Sequence, residues 1–139
     1  IFLTIIPAIT MLRAGSEGAL APVVALVTSA DGLPNDAMYF WVTGVLSSFL
    51  DNAPTYLVFF NLAGGDAAAL MGPMASTLTA ISLGAVFMGA NTYIGNAPNF
   101  MVKAIAEARG VRMPSFFAYL GWAMLVLAPI YAVLTVVLF

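Results

Sequence analysis

Residues 51–55, Asp-Asn-Ala-Pro-Thr, decide the fold because they interrupt an apolar stretch that runs through 37–50 and 56–63. Residues 95–99, Gly-Asn-Ala-Pro-Asn, repeat the pattern 44 positions later. Proline breaks regular helix because it lacks a backbone N–H and clashes with the preceding turn. We call these stretches the first and second Asn-Ala-Pro motifs, and they predict two helix breaks inside an apolar chain.

The composition around the motifs is that of a membrane protein. Hydrophobic residues make up 63% of the 139 positions and charged residues 7%, whereas soluble domains carry about 25% charged residues. Mean hydropathy is +1.04. Four Lys and Arg residues are too few for the basic patch that nucleic-acid binding needs. The chain has no His and no Cys, which excludes Ser-His and Cys-His catalytic pairs and disulfides within it.

Length sorts the apolar segments, because a helix rises about 1.5 Å per residue and the hydrocarbon core is about 30 Å thick. Residues 1–12 are too short to cross and are predicted to be the end of a spanning helix. Residues 19–30 are predicted to form an interfacial helix. Residues 115–139 carry no charge and are predicted to be the last transmembrane helix.

The segment 37–63 around the first motif allows two interpretations. It is either one spanning helix kinked at Pro54, or a re-entrant hairpin with its tip at 51–55. Asp51 favours the hairpin, because a charge at mid-depth is tolerated where broken backbone lines a cavity.

The segment 74–108 is predicted to be a transmembrane helix that is unwound at 91–99. Three asparagines, a glycine and a proline within those nine residues disfavour regular helix. Small residues before the break predict the close approach of another helix: Ala75, Ala80, Gly84, Ala85, Gly89 and Ala90.

A helix that breaks in a membrane exposes backbone N–H and C=O groups, which protein, water or a ligand must satisfy. The half-helix after each break begins with partial positive charge and suits an anion, while carbonyl groups before it, near 48–50 and 90–91, suit Na⁺. Two discontinuous elements in corresponding positions indicate a transporter binding site. The predicted substrate- or ion-binding residues are Asp51, Asn52, Thr55, Asn91, Thr92, Asn96 and Asn99; a Na⁺ ion is expected at Asp51, Asn52 and Asn96, and Pro54, Gly95 and Pro98 are expected to form the breaks.

Asp51 has three open roles: a cation ligand, a proton carrier or a structural residue. Lys103 either reaches a substrate anion or extends to the membrane surface. Lys103, Arg109 and Arg112 lie on one side of the predicted topology, and Arg13 lies on the other. Because cytoplasmic loops carry excess positive charge, the 109–114 loop is predicted to be cytoplasmic and the hairpin mouth external.

These motifs also carry a family resemblance. Residues 46–55, Leu-Ser-Ser-Phe-Leu-Asp-Asn-Ala-Pro-Thr, resemble the hairpin tip of the ion transporter superfamily, which includes arsenite permeases, D-type sodium:proton antiporters, and citrate and dicarboxylate carriers. Residues 89–91 and 94–96 resemble the unwound helix that pairs with this tip. The whole chain is most similar to the citrate transporter branch.

The resemblance implies an all-α integral membrane fold, with the chain as the C-terminal repeat of an inverted-repeat secondary transporter. It also implies an N-terminal half that completes the site, a homodimer, and a place in the inner or plasma membrane of a prokaryote. One departure concerns the tips, where sodium-coupled dicarboxylate carriers have Ser-Asn-Thr. Here the Asn positions match as Asn52 and Asn96, while Asp51 and Gly95 replace Ser and Ala53 and Ala97 replace Thr.

The predicted function is a secondary active transporter, or permease, that moves a small carboxylate such as citrate with Na⁺ or H⁺ and needs no other cofactor. Its partners would be membrane lipid and a small anion or cation, without nucleic acid. The acid at the tip fits a sodium:proton antiporter as an alternative. A non-transporting assembly subunit is a third hypothesis. An intramembrane enzyme is a distant one, because an aspartyl protease needs two intramembrane carboxylates and this stretch has Asp51 alone.

Overall fold

The computed structural model describes residues 7, 10, 14, 17, 18 and 21–139. Across 21–139 the chain forms α-helices and no β-strand, with a single isolated bridge between Thr28 and Pro34. The predicted all-α class is therefore confirmed. The helices are α1 (Ala21–Val27), α2 (Asp36–Ser47), α3 (Asn52–Leu62), α4 (Ala67–Met71), α5 (Ala75–Phe87), α6 (Ala97–Ala108) and α7 (Phe116–Leu138), with a 3₁₀ turn at Met88–Asn91 between α5 and α6.

The structure describes only part of the amino-terminal region for which predictions were made. The predicted end of a spanning helix at 1–12 and the basic residue Arg13 lie outside the described residues, apart from positions 7 and 10. Helix α1 falls inside the predicted interfacial segment 19–30. It ends at Val27 because the chain then turns back through Gly32, whose φ of 76° suits glycine, and Thr28 pairs with Pro34.

Helices α2 and α3 form an antiparallel hairpin. Tyr39 near the start of α2 and Phe59 near the end of α3 meet edge to face, with ring centroids 6.3 Å apart. In one continuous helix these residues would lie about 30 Å apart. The chain therefore folds back on itself at 48–51, which excludes a single kinked helix.

The turn of this hairpin differs from the predicted tip at 51–55. Helix α3 begins at Asn52, so Pro54 lies in its first turn, where the missing N–H would have had no helical partner. Asp51 is the N-cap, and its carboxylate accepts the Asn52 N–H at 2.9 Å. The proline therefore starts the second arm and is not part of the turn itself.

The second break is shorter than predicted. Helix α5 passes into the 3₁₀ turn, residues 92–96 are irregular, and α6 begins at Ala97. The predicted unwound segment was 91–99. Residues 97–99 are helical for the same reason as in α3, because Pro98 lies in the first turn of α6.

Helix α7 is long and apolar. It has 23 residues, a mean hydropathy of 2.2 and few buried side chains, and among the described residues it is the one helix that meets the length and composition of a membrane span. Ser115 caps it by accepting the Ala118 N–H at 3.4 Å. These bounds agree with the last transmembrane helix predicted at 115–139.

The core forms where α2 packs along α5. A Cβ atom placed on Gly84 would lie 2.4 Å from the Phe40 carbonyl oxygen, so the two backbones touch there. The predicted close approach of a helix to the small residues of α5 is thus confirmed at this position. The buried hydrophobic cluster around this contact comprises Val27, Tyr39, Phe40, Phe59, Ala80, Ile81, Met88 and Tyr131.

Polar contacts fix the ends of this packing. The Thr77 hydroxyl donates to the Asp36 carboxylate at 2.6 Å, which joins the starts of α2 and α5. The Trp41 indole N–H donates to the Thr135 hydroxyl at 3.0 Å, which joins α2 to α7. Both bonds orient the hairpin against the broken helix and the last helix.

Candidate functional site

Ser48, the first residue of the hairpin turn, joins the hairpin to the broken helix. Its hydroxyl lies 2.9 Å from the Met88 carbonyl oxygen and 3.0 Å from the Gly44 carbonyl oxygen, and it accepts the Asn91 amide N–H at 3.0 Å. Ser48 is buried, so these protein groups replace the water that an exposed hydroxyl would bind. The turn and the end of α5 are therefore held together by side-chain hydrogen bonds.

Thr92, the first residue of the second break, adds to this connection. Its buried hydroxyl donates to the Ser48 carbonyl oxygen. The Thr92 hydroxyl oxygen also accepts the Gly95 N–H at 2.9 Å and the Ile94 N–H at 3.3 Å. One threonine thus shapes the second break and bonds it to the hairpin turn.

Gly95 lies at the contact between the two breaks. A Cβ atom there would stand 2.6 Å from the Gly89 carbonyl oxygen and 2.9 Å from the carbonyl oxygens of both Ser47 and Ser48. Contacts under 3.0 Å to backbone atoms cannot be relieved by turning a side chain. The position where the two motifs differ most, Asp51 against Gly95, is therefore one where the second motif has no room for a side chain.

Four consecutive carbonyl groups, those of residues 87–90 at the end of α5 and in the 3₁₀ turn, accept hydrogen bonds from side chains. The donors come from the hairpin turn, α6 and α7, at distances of 2.9 to 3.2 Å. Asn99 donates to the Gly89 oxygen and Tyr119 to the Ala90 oxygen, while Tyr131 shares its one hydroxyl proton between the Phe87 oxygen and Asn91 Oδ1, and Ser48 shares its proton between the Met88 and Gly44 oxygens. Of these four, the Ala90 carbonyl belongs to the groups near 48–50 and 90–91 that were expected to suit Na⁺. Because each already has a protein donor, fewer acceptor positions remain there for a cation.

Three of the predicted ligand residues hold the break together. Asn91 is buried; it donates to Ser48, and its Oδ1 lies 3.1 Å from the Tyr131 hydroxyl. Asn99 donates to the carbonyl oxygens of Gly89 and Thr92, both at 3.1 Å. The side chains of Asn91, Thr92 and Asn99 thus bond to protein groups in this structure.

The residues predicted to bind Na⁺ make fewer contacts with the protein. Asp51 is exposed, and its carboxylate bonds to the N–H of the next residue. Asn52 is half-buried and lines a recess of about 380 Å³ together with Tyr56 and Ala85. Asn96 is half-buried at the N-cap of α6, where its side chain makes no capping hydrogen bond. Among the described residues, no hydrogen bond joins these three side chains to one another, and the Na⁺ site stays a prediction.

The other predicted positions have local roles. The buried Thr55 hydroxyl donates to the Asp51 carbonyl oxygen at 3.0 Å, within the first turn of α3. Lys103 pairs with Glu107 at 2.7 Å and stands 5.5 Å from the centre of the Tyr93 ring. Tyr93 in turn stacks on Tyr119, with ring centroids 4.2 Å apart. The charge of Lys103 is thus matched by a carboxylate one helical turn away.

Ser47, Tyr119 and Tyr131 were not predicted to belong to the site. The buried Ser47 hydroxyl donates to the Ala85 carbonyl oxygen at 2.5 Å, and both tyrosines bond to the 3₁₀ turn or the residue before it. A hydroxyl in an apolar helix needs a partner, so two tyrosines in the last helix were an available signal. The sequence does not indicate which carbonyl they would meet.

A recess of about 260 Å³ lies beside these bonds, between the hairpin turn and α7. Ser48, Asn91 and Tyr131 line its polar end, and Trp41 and Met124 belong to its apolar wall. The polar side chains at this recess are bonded to one another. This arrangement leaves the recess itself largely apolar.

The geometry described above is that of two helix breaks joined by side-chain hydrogen bonds in an apolar, all-α chain. A family model described as "Putative citrate transport" matches residues 1–139, the full length of the sequence. The chain belongs to this citrate-transport family. A search of curated proteins returns no match, and a search of solved structures returns none either.

Membership of the citrate-transport family settles the broad class. The family is one of transporters and not of enzymes, which confirms the prediction that the chain is not an enzyme. It also places the protein in a membrane, in agreement with the apolar helix α7. The predicted resemblance to the citrate transporter branch is confirmed over the whole chain.

Proposed function

We propose that this member of the citrate-transport family is a secondary active transporter that carries a small carboxylate, such as citrate, together with Na⁺ or H⁺. The observation that supports this most is the contact between the two breaks, where Gly95 abuts the Ser47 and Ser48 carbonyl groups. Helix α3 starts four residues after Ser48, and α6 starts two residues after Gly95. Both half-helices therefore start within four residues of this contact.

Two helix starts within four residues of this contact favour an anion. Each carries about half a positive elementary charge and unpaired N–H groups. A carboxylate can bind there without Arg or Lys. Asn52 in the first turn of α3 and Asn96 at the N-cap of α6 each bring an amide donor to a half-helix start, and the Asn96 side chain makes no capping hydrogen bond.

We assign the binding of the coupling ion to Asp51 at the hairpin turn. Asp51 is exposed at the hairpin turn, and one of its carboxylate oxygens bonds to the following N–H, so the carboxylate keeps further acceptor positions. We propose that Asp51, with Asn52 and Asn96, binds Na⁺ or that Asp51 carries a proton. The hairpin would be re-entrant, the 109–114 loop cytoplasmic, and a second inverted repeat would complete the site in a homodimer.

Uptake of radiolabelled citrate tests this function. We would reconstitute the full-length protein in proteoliposomes and measure uptake with and without an inward sodium gradient, and separately with a proton gradient. Faster uptake with one gradient supports the proposal and identifies the coupling ion. Absence of citrate uptake under every gradient contradicts it.

Asp51 also supports a second candidate, the sodium:proton antiporter, because a carboxylate can exchange a proton for Na⁺. A pH-sensitive dye inside the same proteoliposomes distinguishes the two functions. Sodium-driven alkalinisation without citrate uptake would favour the antiporter and contradict carboxylate transport.

Replacing Asp51 with Asn tests its role, and Asp66 provides a matched control. Both aspartates cap a helix and accept a backbone N–H at 2.9 Å, at the start of α3 and of α4. Asn is as good a cap as Asp, so Asp51→Asn and Asp66→Asn should both keep the fold. We expect Asp51→Asn to lower ion-coupled uptake at least about tenfold, the effect of losing roughly 1.4 kcal/mol of ion binding, while Asp66→Asn stays at the wild-type rate. A wild-type rate for Asp51→Asn would contradict the assignment.

A further inference from the structure

The last helix contributes a buried tyrosine to the second break. Tyr131 is 3% exposed, and its hydroxyl lies 2.9 Å from the Phe87 carbonyl oxygen and 3.1 Å from Asn91 Oδ1. It therefore contacts both the backbone that ends α5 and a side chain predicted to bind substrate or ion. No other described side chain contacts both groups.

The Tyr131 hydroxyl contacts the oxygen atom of the Asn91 side-chain amide. Asn91 Nδ2 donates to the Ser48 hydroxyl at 3.0 Å, and Oδ1 faces the Tyr131 hydroxyl. The Tyr131 hydroxyl shares its one proton between Asn91 Oδ1 and the Phe87 carbonyl oxygen. Turning the Asn91 amide would therefore break its bond to Ser48 and withdraw Oδ1 from that shared proton, which is costly in an apolar setting. The orientation of Asn91 is therefore set jointly by the hairpin turn and by α7.

Asn91 in turn determines how the break sits against the hairpin. It is the last residue of the 3₁₀ turn and directly precedes Thr92, which bonds to the Ser48 carbonyl oxygen. Asn91 thus bonds to the Ser48 hydroxyl, and Thr92 bonds to the Ser48 carbonyl oxygen. A rotation of Asn91 would shift Thr92 and, through the Gly95 N–H bond to Thr92, the start of α6.

We infer that Tyr131 is a positioning residue of the transport site, which acts through Asn91 to fix the second break, and with it Asn96, against the hairpin turn. This inference rests on the transport function proposed above. Tyr131 would not touch the substrate, because its hydroxyl is used by Phe87 and Asn91. Its loss should therefore weaken substrate binding through misplacement of the break.

Tyr119 offers a matched control on the same helix. Its hydroxyl donates to the Ala90 carbonyl oxygen at 3.2 Å, so it also bonds to the 3₁₀ turn, but it does not contact the Asn91 side chain. Tyr119→Phe and Tyr131→Phe each remove one hydroxyl from α7 and leave the ring in place. The Tyr119 bond is exposed and the Tyr131 bond is part-buried, so the decisive comparison is how strongly each variant is coupled to Asn91.

The experiment compares both variants in the full-length protein, alone and combined with Asn91→Ala, by citrate uptake in proteoliposomes and by thermal unfolding in detergent. We expect Tyr131→Phe to raise the KM for citrate about fivefold, the effect of one net hydrogen bond. Tyr119→Phe should stay within about twofold of wild type. In the Asn91→Ala background, Tyr131→Phe should have no further effect on KM, since contacting residues are not additive.

Equal KM values for the two tyrosine variants, or independent effects of Tyr131→Phe and Asn91→Ala, would overturn the inference. If the wild-type protein takes up no citrate, the proposed function fails, and the melting temperatures of the same variants decide the inference separately. Coupling between positions 131 and 91, without coupling between 119 and 91, then supports it, and additivity at both pairs refutes it. Should Asn91→Ala not fold, Asn91→Ser replaces it in both comparisons.

Discussion

Gly95 is the position where the contact between the two breaks is most sensitive to a small change. A methyl group there, in Gly95→Ala, would come within 2.6 Å of one backbone carbonyl oxygen and 2.9 Å of two others. These three oxygens belong to the hairpin turn, the end of α2 and the 3₁₀ turn. None of them can move away by a change of rotamer, so the hairpin must separate from the broken helix.

The size of the effect follows from what the separation breaks. Overpacking a tight site costs about 1–3 kcal/mol, and here the Ser48 bonds to Met88, Asn91 and Thr92 cross the same contact. Each buried bond that is lost adds about 1 kcal/mol. We therefore expect Gly95→Ala to destabilise the protein by at least about 3 kcal/mol, summing overpacking and lost bonds.

Thermal unfolding in detergent, with Gly121→Ala as the matched control, measures this effect. Gly121 lies in α7, and a Cβ atom there meets nothing within 4 Å. Alanine is also the better helix former by about 1 kcal/mol, so Gly121→Ala should keep or raise the melting temperature. We expect a fall of at least about 5 °C for Gly95→Ala. A melting temperature equal to that of wild type would show that the two breaks do not touch as described.

Two further predictions concern the interface of α2 and α5. Gly84→Ala should destabilise more than Gly44→Ala, because the added Cβ meets the Phe40 backbone oxygen at 2.4 Å in the first case and the flexible Met88 side chain in the second; equal melting temperatures would contradict this. Thr43→Val should raise the melting temperature, because the buried Thr43 hydroxyl has no hydrogen-bond partner and burying one costs about 1–3 kcal/mol. A fall after Thr43→Val, with Thr79→Val as an exposed control, would indicate a partner for that hydroxyl.

The Asn-Ala-Pro motifs allowed the breaks to be predicted, but not their limits. A proline excludes the interior of a helix and is accepted in its first turn, so the motif is compatible with a break around it or just before it. The structure has the break before Pro54 and before Pro98 in both cases. The Asn and Pro of each motif predict a new half-helix with proline in its first turn, because Asn is a good N-cap; Asn96 is the N-cap of α6, whereas Asp51 and not Asn52 is the N-cap of α3.

The composition of the site was less predictable than its location. Asn91, Thr92 and Asn99 were predicted as ligands from residue type; in the structure they bond to protein groups, and their role as ligands stays a prediction. Ser48 and Tyr131 were missed because their partners are 40 positions away in the sequence. Residue type shows that a polar group needs a partner, whereas the partner itself depends on how the helices pack.

The carbonyl groups of residues 87–90, which accept side-chain hydrogen bonds, also have a consequence for the order in which the chain is made and inserted. The chain is made from its amino end, so α5 is complete before Asn99, Tyr119 and Tyr131, which supply three of the four donors, leave the ribosome. Until then those carbonyls must bond to water or to the insertion machinery, since lipid offers no donor. The second break therefore needs water or the insertion machinery beside it during insertion, and it can enter a dry environment only after α7 has been made.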